Sequence, residues 1–180
     1  MKVVDTIFKG GRVVDVDART IATIDVGVKE SKFIFGLMES QNVIELNGAF
    51  IAPGFIDAHM HVESTMLPPT SFAQLSLPHG TTAAVFDPHE IANVLGIVGI
   101  KLIMDDAKNI PFDAFFAASS CVPASPLETS GATLLSEDLE PLFEDERVVA
   151  LAEMMNYPGV IHDDPEVHKK YKWDYVTVKK

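Results

Sequence analysis

The stretch Pro53-Gly54-Phe55-Ile56-Asp57-Ala58-His59-Met60-His61 divides the chain and carries its most informative chemistry. Pro53-Gly54 is a turn signal, and residues 55–61 after it read as a strand. Successive side chains of a strand face opposite sides. Asp57, His59, His61 and, if the strand runs on, Glu63 therefore share one face, and Ile56, Ala58, Met60 and Val62 the other. The apolar set can pack beneath helices. The polar set then lies at the strand's C-terminal end, on the enclosed side of a sheet. Two imidazoles about 7 Å apart along a strand can bind one divalent ion or help to hold a pair. The plain alternative is two histidines hydrogen-bonded in a core or exposed on an edge. The Pro-Gly entry and Asp57 two residues upstream favour the metal reading.

Upstream, residues 3–51 read as short β-strands. Val3, Val4, Ile7 and Phe8 lead to Gly10-Gly11, read as a turn, and Asp17 to Thr20 form another polar turn. Ile24, Val26 and Val28 alternate with polar residues, as in a half-buried strand. Asn47-Gly48 reads as a hairpin turn. The expectation for residues 1–52 is a small β-sandwich-like module, with one edge of a larger sheet as the alternative.

Downstream, strands alternate with helices. Strands are expected at 81–86, 114–118 and 148–152. Helices are expected at 69–77, 91–108 and 136–143, with Ser136 as a cap, and another opens at Asp164-Pro165. Gly96 and Gly99 are expected to let the helix at 91–108 approach the sheet closely. Repeated strand-then-helix units argue for a parallel sheet with helices outside. The fold class is thus α/β, a β-sandwich-like module followed at 53–180 by about four β/α units. A closed eight-fold barrel takes roughly 250 residues, and 128 remain after the first 52 of 180. The expectation is therefore the first half of a TIM-type (β/α)8 barrel, or a smaller open α/β sheet.

Composition narrows the function. With 14 Lys+Arg against 26 Asp+Glu the formal charge is −12, which offers no basic patch for nucleic acid. At 47 % hydrophobic the chain is too apolar for a disordered acidic tail. No run approaches the roughly 18 apolar residues of a membrane helix. Asp5 interrupts the N-terminal apolar residues, so no signal peptide is read and a cytoplasmic location is expected. The single Cys121 excludes an intramolecular disulfide framework and a multi-cysteine zinc site. It also excludes the cytidine-type deaminase mechanism that His61-Val62-Glu63 superficially matches, since that needs a Cys-x-x-Cys pair.

Further candidates lie at the ends of later strands. Glu153 follows the apolar run 148–152, where a carboxylate is expected to be buried and to need a partner such as a metal ion. A salt bridge to a neighbouring helix is the alternative. Asp87-Pro88-His89-Glu90 follows the strand at 81–86 and suggests a pocket wall, although Asp87 also suits a turn and Glu90 a helix's first turn. Cys121 reads as a buried structural thiol, His79 as a turn residue, and His162 and His168 as solvated.

The stretch 53–61 is similar to the signature of the amidohydrolase superfamily. Leu77-Pro78-His79-Gly80-Thr81-Thr82, the run 87–94 (Asp-Pro-His-Glu-Ile-Ala-Asn-Val), Ser120-Cys121-Val122-Pro123-Ala124, Glu128-Thr129-Ser130-Gly131-Ala132 and the run 151–160 resemble bacterial and archaeal adenine deaminases. The resemblance is read over residues 1–160. It implies a β-sandwich module beside a (β/α)8 barrel, and hydrolysis of adenine to hypoxanthine and ammonia at a binuclear centre. Manganese is the metal implied first, with iron or zinc as alternatives. His59 and His61 match the first-strand ligands. Glu153 matches a carboxylate that bridges the two metals and takes part in catalysis. His89 matches a catalytic residue near the substrate, with Asp87 and Glu90 in the substrate pocket. After Val160 the sequence is read as departing from the family, with the later ligands missing. The chain is therefore expected to be a truncated form inactive alone, and either homo-oligomeric or completed by a missing C-terminal half. The alternatives are a non-catalytic product with a partial metal site, or an amidohydrolase acting on another cyclic amide or amidine.

Overall fold

The computed structural model describes residues 2–177. Two compact units divide the chain, Met1–Pro53 and Gly54–Lys180.

In the first unit, β1 (Lys2–Val3), β2 (Thr6–Asp15), β3 (Thr20–Lys29), β4 (Lys32–Ile34), β5 (Met38–Glu39), β6 (Val43–Glu45) and β7 (Phe50–Ile51) form two sheets. One has the order β4-β3-β2-β6, with β7 also on β2, and the other pairs β1 with β5. Asp15 closes the β2–β3 turn by accepting the backbone N–H of Asp17 and Ala18. Gly10-Gly11 is not a turn. β2 runs through it, and the pairing with β3 slips between Phe8 and Gly11, a bulge that Gly10 accommodates at φ +69°. Asn47-Gly48 does turn, with φ of 52° and 82°, but it makes no hairpin. β6 and β7 both run parallel to β2, so the turn is a jog along one edge.

The second unit alternates strands and helices. In order come β8 (Phe55–Met60), α1 (Pro69–Ser76), β9 (Thr81–Phe86), α2 (His89–Leu95), α3 (Ile97–Asp106) and β10 (Asp113–Ala118). Then follow α4 (Ser136–Leu139), β11 (Val148–Leu151), α5 (Tyr157–Ile161) and α6 (Pro165–Thr177). The four strands form an all-parallel sheet in chain order, β8-β9-β10-β11. Every strand's C-terminal end therefore opens at the same edge. Ala84, Phe86, Ala114, Phe116 and Ala118 belong to one core with Ala73 of α1, Ala92 of α2, Ile100 of α3 and Leu139 of α4. Phe86 is fully buried among Phe72, Phe112 and Phe116, with ring centroids 5.8–6.3 Å away. Met60 and Val62 join this core as the alternation requires, but Phe55 and Ile56 stay 68 % and 67 % exposed, because β8 is an edge strand among the described residues.

Several helical expectations are corrected. The helix at 91–108 is two helices, broken at Gly96 (φ 61°, ψ −144°), a conformation closed to a side-chain-bearing residue. Gly99 brings α3 against α2 rather than against the sheet: a Cβ there would lie 2.7 Å from the Ile91 carbonyl oxygen. The segment 136–143 makes one short α-helix and then a 3-10 turn over Glu140–Glu144. Ser136 is not its cap. Asp138 accepts the Leu135 N–H at 2.8 Å, and Glu166 accepts that of Ser136. Helix α5 was not anticipated. Asn156 starts it by accepting the Gly159 N–H.

Candidate metal centre

The strand ends gather the ionisable residues. His59 lies in β8 and His61 just beyond it, where the β8–β9 register is irregular between Asp57 and Met60. Bulges near strand ends re-aim side chains. Asp57 also accepts the His59 N–H at 3.2 Å, tightening this bend. The two histidine Nε2 atoms face each other at 3.2 Å. From Glu153, beyond the end of β11, Oε2 lies 3.5 Å from His59 Nε2 and Oε1 3.8 Å from His61 Nε2. Asp87, beyond β9, completes a set of four donors lying within 4.8 Å of one another.

Separations choose between hydrogen bonding and metal ligation. Hydrogen bonds to carboxylates run about 2.7–2.9 Å. Donors about 2.1 Å from a common ion stand about 3.0–3.5 Å apart for octahedral or tetrahedral angles. The His59–Glu153 and His61–Glu153 separations are too long for the first and close to the second. Carboxylates also outnumber imidazoles locally, with Glu63, Asp87, Glu90 and Glu153 around His59, His61 and His89. The donor set therefore fits a divalent cation.

Asp87 organises the centre. It is 1 % exposed. Burial pushes its carboxyl above the usual range, while His89 and Ser119 pull it back. Ser119 Oγ donates to Oδ1 at 3.1 Å, and His89 Nδ1 lies 3.2 Å from Oδ2. The Asp87 carbonyl lies 3.0 Å from His61 Nδ1. An Nδ1–H donated there leaves the His61 Nε2 lone pair aimed at Glu153. His61 is raised from its ordinary pKa: burial opposes this, but the Asp87 carbonyl and the charges of Glu90, Asp87 and Glu153 outweigh it. Burial raises Glu63, although its Oε1 accepts the Ile91 N–H.

Of the residues singled out in the sequence, His59, His61, Asp87, His89, Glu90 and Glu153 are brought together. Glu153 departs from expectation in being 46 % exposed in its side chain. The β11 ladder ends at Leu151, so Glu153 stands at the open edge instead of within the sheet. Cys121 is buried and receives the Asn156 N–H. His162 and His168 are exposed. Sequence reasoning missed Ser119, and Ser120, whose Oγ donates to the Glu153 carbonyl at 2.6 Å and steadies that loop. Their position just beyond β10 was the available signal. A cavity of about 630 Å³ lies elsewhere, lined by Ser120, Cys121, Met154, Asn156 and Lys170 among others, but by none of the clustered ionisable side chains.

A parallel sheet with histidine and carboxylate donors gathered at one edge is an α/β scaffold able to hold a divalent ion, and the comparisons place it in a family. The Amidohydrolase family matches residues 50–172, and the chain belongs to that family. It is 46 % identical over 171 residues to an adenine deaminase of Syntrophobacter fumaroxidans, covering 94 % of this chain and 30 % of the relative. It is 44 % identical over 173 residues to that of Clostridium acetobutylicum (96 % and 30 %), and 42 % over 167 residues to that of Geobacillus kaustophilus (92 % and 29 %). The chain thus spans less than a third of these relatives' lengths. The family match runs to residue 172, past Val160 where the sequence reading had ended it. No helix among the described residues is long and apolar enough to cross a membrane.

Proposed function

We propose that this chain is the metal-holding front portion of an adenine deaminase, which hydrolyses adenine with one water to hypoxanthine and ammonia. The observation that carries the chemistry is the convergence of His59, His61, Asp87 and Glu153 within 4.8 Å at one sheet edge. The relatives' activity supplies the substrate. In this reading residues 1–52 form the accessory β-module and residues 53–180 the first four units of a (β/α)8 barrel. Manganese is the preferred ion, with iron or zinc as alternatives, since mixed imidazole and carboxylate ligands suit all three. The protein acts in the cytoplasm on a small purine, not on nucleic acid or membrane. Its exposed β8 edge pairs with a second copy or with a completing segment.

Divalent ions bound here would supply hydroxide at neutral pH. The chain's own residues do the rest. His59, His61 and Glu153 are the ligands, and Glu153 lies against both histidines. His89 is held by Asp87 through Nδ1, which leaves Nε2 free to hold or pass a proton between water and the departing amine. Asp87 and Glu90 line the purine's side of the site.

The test is complementation. The chain, loaded with Mn2+, is mixed with the remaining 70 % or so of the Syntrophobacter relative, and hypoxanthine and ammonia are followed. Turnover by the mixture, lost with His59→Ala/His61→Ala, is expected. The chain alone is expected to bind Mn2+ without turnover. A chain that binds no Mn2+, or that alone hydrolyses a different cyclic amide, overturns the proposal.

A further inference from the structure

The cavity of about 630 Å³ is lined by none of the clustered ionisable side chains. Its volume falls within the range of about 300–1,000 Å³ usual for small-molecule sites. Much of its wall is apolar, with Val122, Pro126, Leu134, Met154, Pro158 and Val167 among the lining residues. Lys170 stands in this wall and is only 7 % exposed.

Lys170 is tethered but not neutralised. Its ammonium carries three N–H donors. Two reach the carbonyls of Ser120 at 2.9 Å and Leu134 at 2.7 Å. Among the described residues no acceptor takes the third, and no carboxylate forms an ion pair with it. The carboxylates whose charge it feels, Glu166, Asp164 and Asp138, are engaged elsewhere. Asp164 accepts the Glu166 N–H at 2.8 Å and Asp138 the Leu135 N–H at 2.8 Å, while Glu166 takes the Ser136 N–H and Lys169 Nζ. Burial lowers the Lys170 pKa in spite of those charges. An unpaired charge among apolar groups is costly, and an anionic oxygen on the third donor offsets that cost through a charge-assisted hydrogen bond. The chain carries −12 overall and repels bare anions, so a ligand here also needs apolar contact with the walls.

We propose that this cavity binds a small monocarboxylate with an apolar body, its carboxylate on Lys170 and its body against Val122, Leu134, Met154 and Val167. One negative charge matches the one unpaired ammonium. The site is independent of the metal centre and of the deaminase reading.

Isothermal titration calorimetry of the whole chain with octanoate tests this, with octanamide, benzoate and inorganic phosphate for comparison. One octanoate per chain is expected. Octanamide, of the same length but uncharged, should bind at least about tenfold more weakly, the difference a hydrogen bond between charged groups makes. Benzoate tells an aromatic from an aliphatic body, and binding of either acid supports the site. Lys170→Met should weaken octanoate by at least about tenfold. Thr133→Trp, at an exposed position of the lining, should weaken it by filling the cavity, and stands in if circular dichroism shows that Lys170→Met does not fold. His59→Ala/His61→Ala should leave octanoate binding unchanged. The proposal is overturned if neither acid binds, if octanamide or phosphate binds as tightly as octanoate, or if the histidine pair's replacement abolishes binding. Octanoate affinity unchanged in folded Lys170→Met or in Thr133→Trp overturns it too.

Discussion

Replacing Gly99 by alanine sets helix propensity against packing, and the structure decides the sign. Gly99 sits inside α3, where Gly→Ala in an exposed helix gains about 1 kcal/mol. Here a Cβ would lie 2.7 Å from the Ile91 carbonyl oxygen, 2.9 Å from Ile91 Cγ1 and 3.1 Å from the Ile91 carbonyl carbon. Ordinary contact begins near 3.4 Å, so α2 and α3 must part by about 0.7 Å, and the nearest obstacle is backbone that cannot rotate away. Overpacking of this kind costs about 1–3 kcal/mol, leaving a net loss of about 1 kcal/mol. Val98, the neighbouring residue, is 71 % exposed; Val98→Ala feels only propensity and should gain a few tenths of a kcal/mol. Urea unfolding followed by circular dichroism reads both as midpoint shifts at constant slope. The expected result is opposite signs at adjacent positions. A midpoint for Gly99→Ala that rises with that of Val98→Ala would mean that α2 does not lie against Gly99, and the argument from close approach would fail.

Lys170→Met removes donors that reach the carbonyls of Ser120 at 2.9 Å and Leu134 at 2.7 Å; after relief of the buried charge, about 2 kcal/mol of stability should be lost in urea unfolding. Because burial lowers the Lys170 pKa, the unfolded chain holds more protons between that lowered value and 10.5. The unsubstituted protein should therefore gain stability relative to Lys170→Met as pH rises through that window. Ser119→Ala deprives the buried Asp87 of its Oδ1 donor and should cost about 1–3 kcal/mol, measured the same way. The hydrogen bond from Arg147 lowers the Asp145 pKa. The pair's stabilisation is thus present above the ordinary value near 3.8 and fades as pH falls through the lowered one. As the side chains are 26 % and 35 % exposed, the urea-midpoint difference from Asp145→Asn should correspond to about a few tenths of a kcal/mol and shrink on acidification.

How much of the fold was legible follows from the range of the forces involved. The strand at Thr81–Phe86 was readable to the residue because its β-branched and aromatic run is bounded by Gly80 and Pro88. The parallel arrangement followed from alternation with helices, because such connections leave few topologies open. The failures involve glycine and long-range register. Gly10-Gly11 has the composition of a turn, and only the partner strand, which pairs again with Gly11 after a slip, shows it to be a bulge. Gly96 was read as a helical residue with a propensity cost, but its φ and ψ end one helix and begin the next. The turn at Asn47-Gly48 was correctly placed, yet whether a turn returns the chain onto itself depends on which strand is waiting for it, and that strand was β2.

The candidate site was legible wherever one rule sufficed: a residue at or just past the end of a parallel strand joins the others at the same edge. That rule brings together His59, His61, Asp87 and Glu153, separated by up to 94 positions in the chain, without any knowledge of distance. It does not say which way each group hydrogen-bonds, and the missing information lies there. Ser119 stands beyond β10, adjacent to β9 in the sheet, and its hydroxyl reaches across that pairing to Asp87. Asp87 in turn uses its side chain on His89 and its backbone carbonyl on His61. One buried carboxyl residue thereby fixes the orientation of two imidazoles. The donors are therefore oriented by a residue whose own position depends on strand register. Which residues meet at the edge can be read from strand-end spacing, whereas their aim can be read only from the neighbour that holds Asp87 in place.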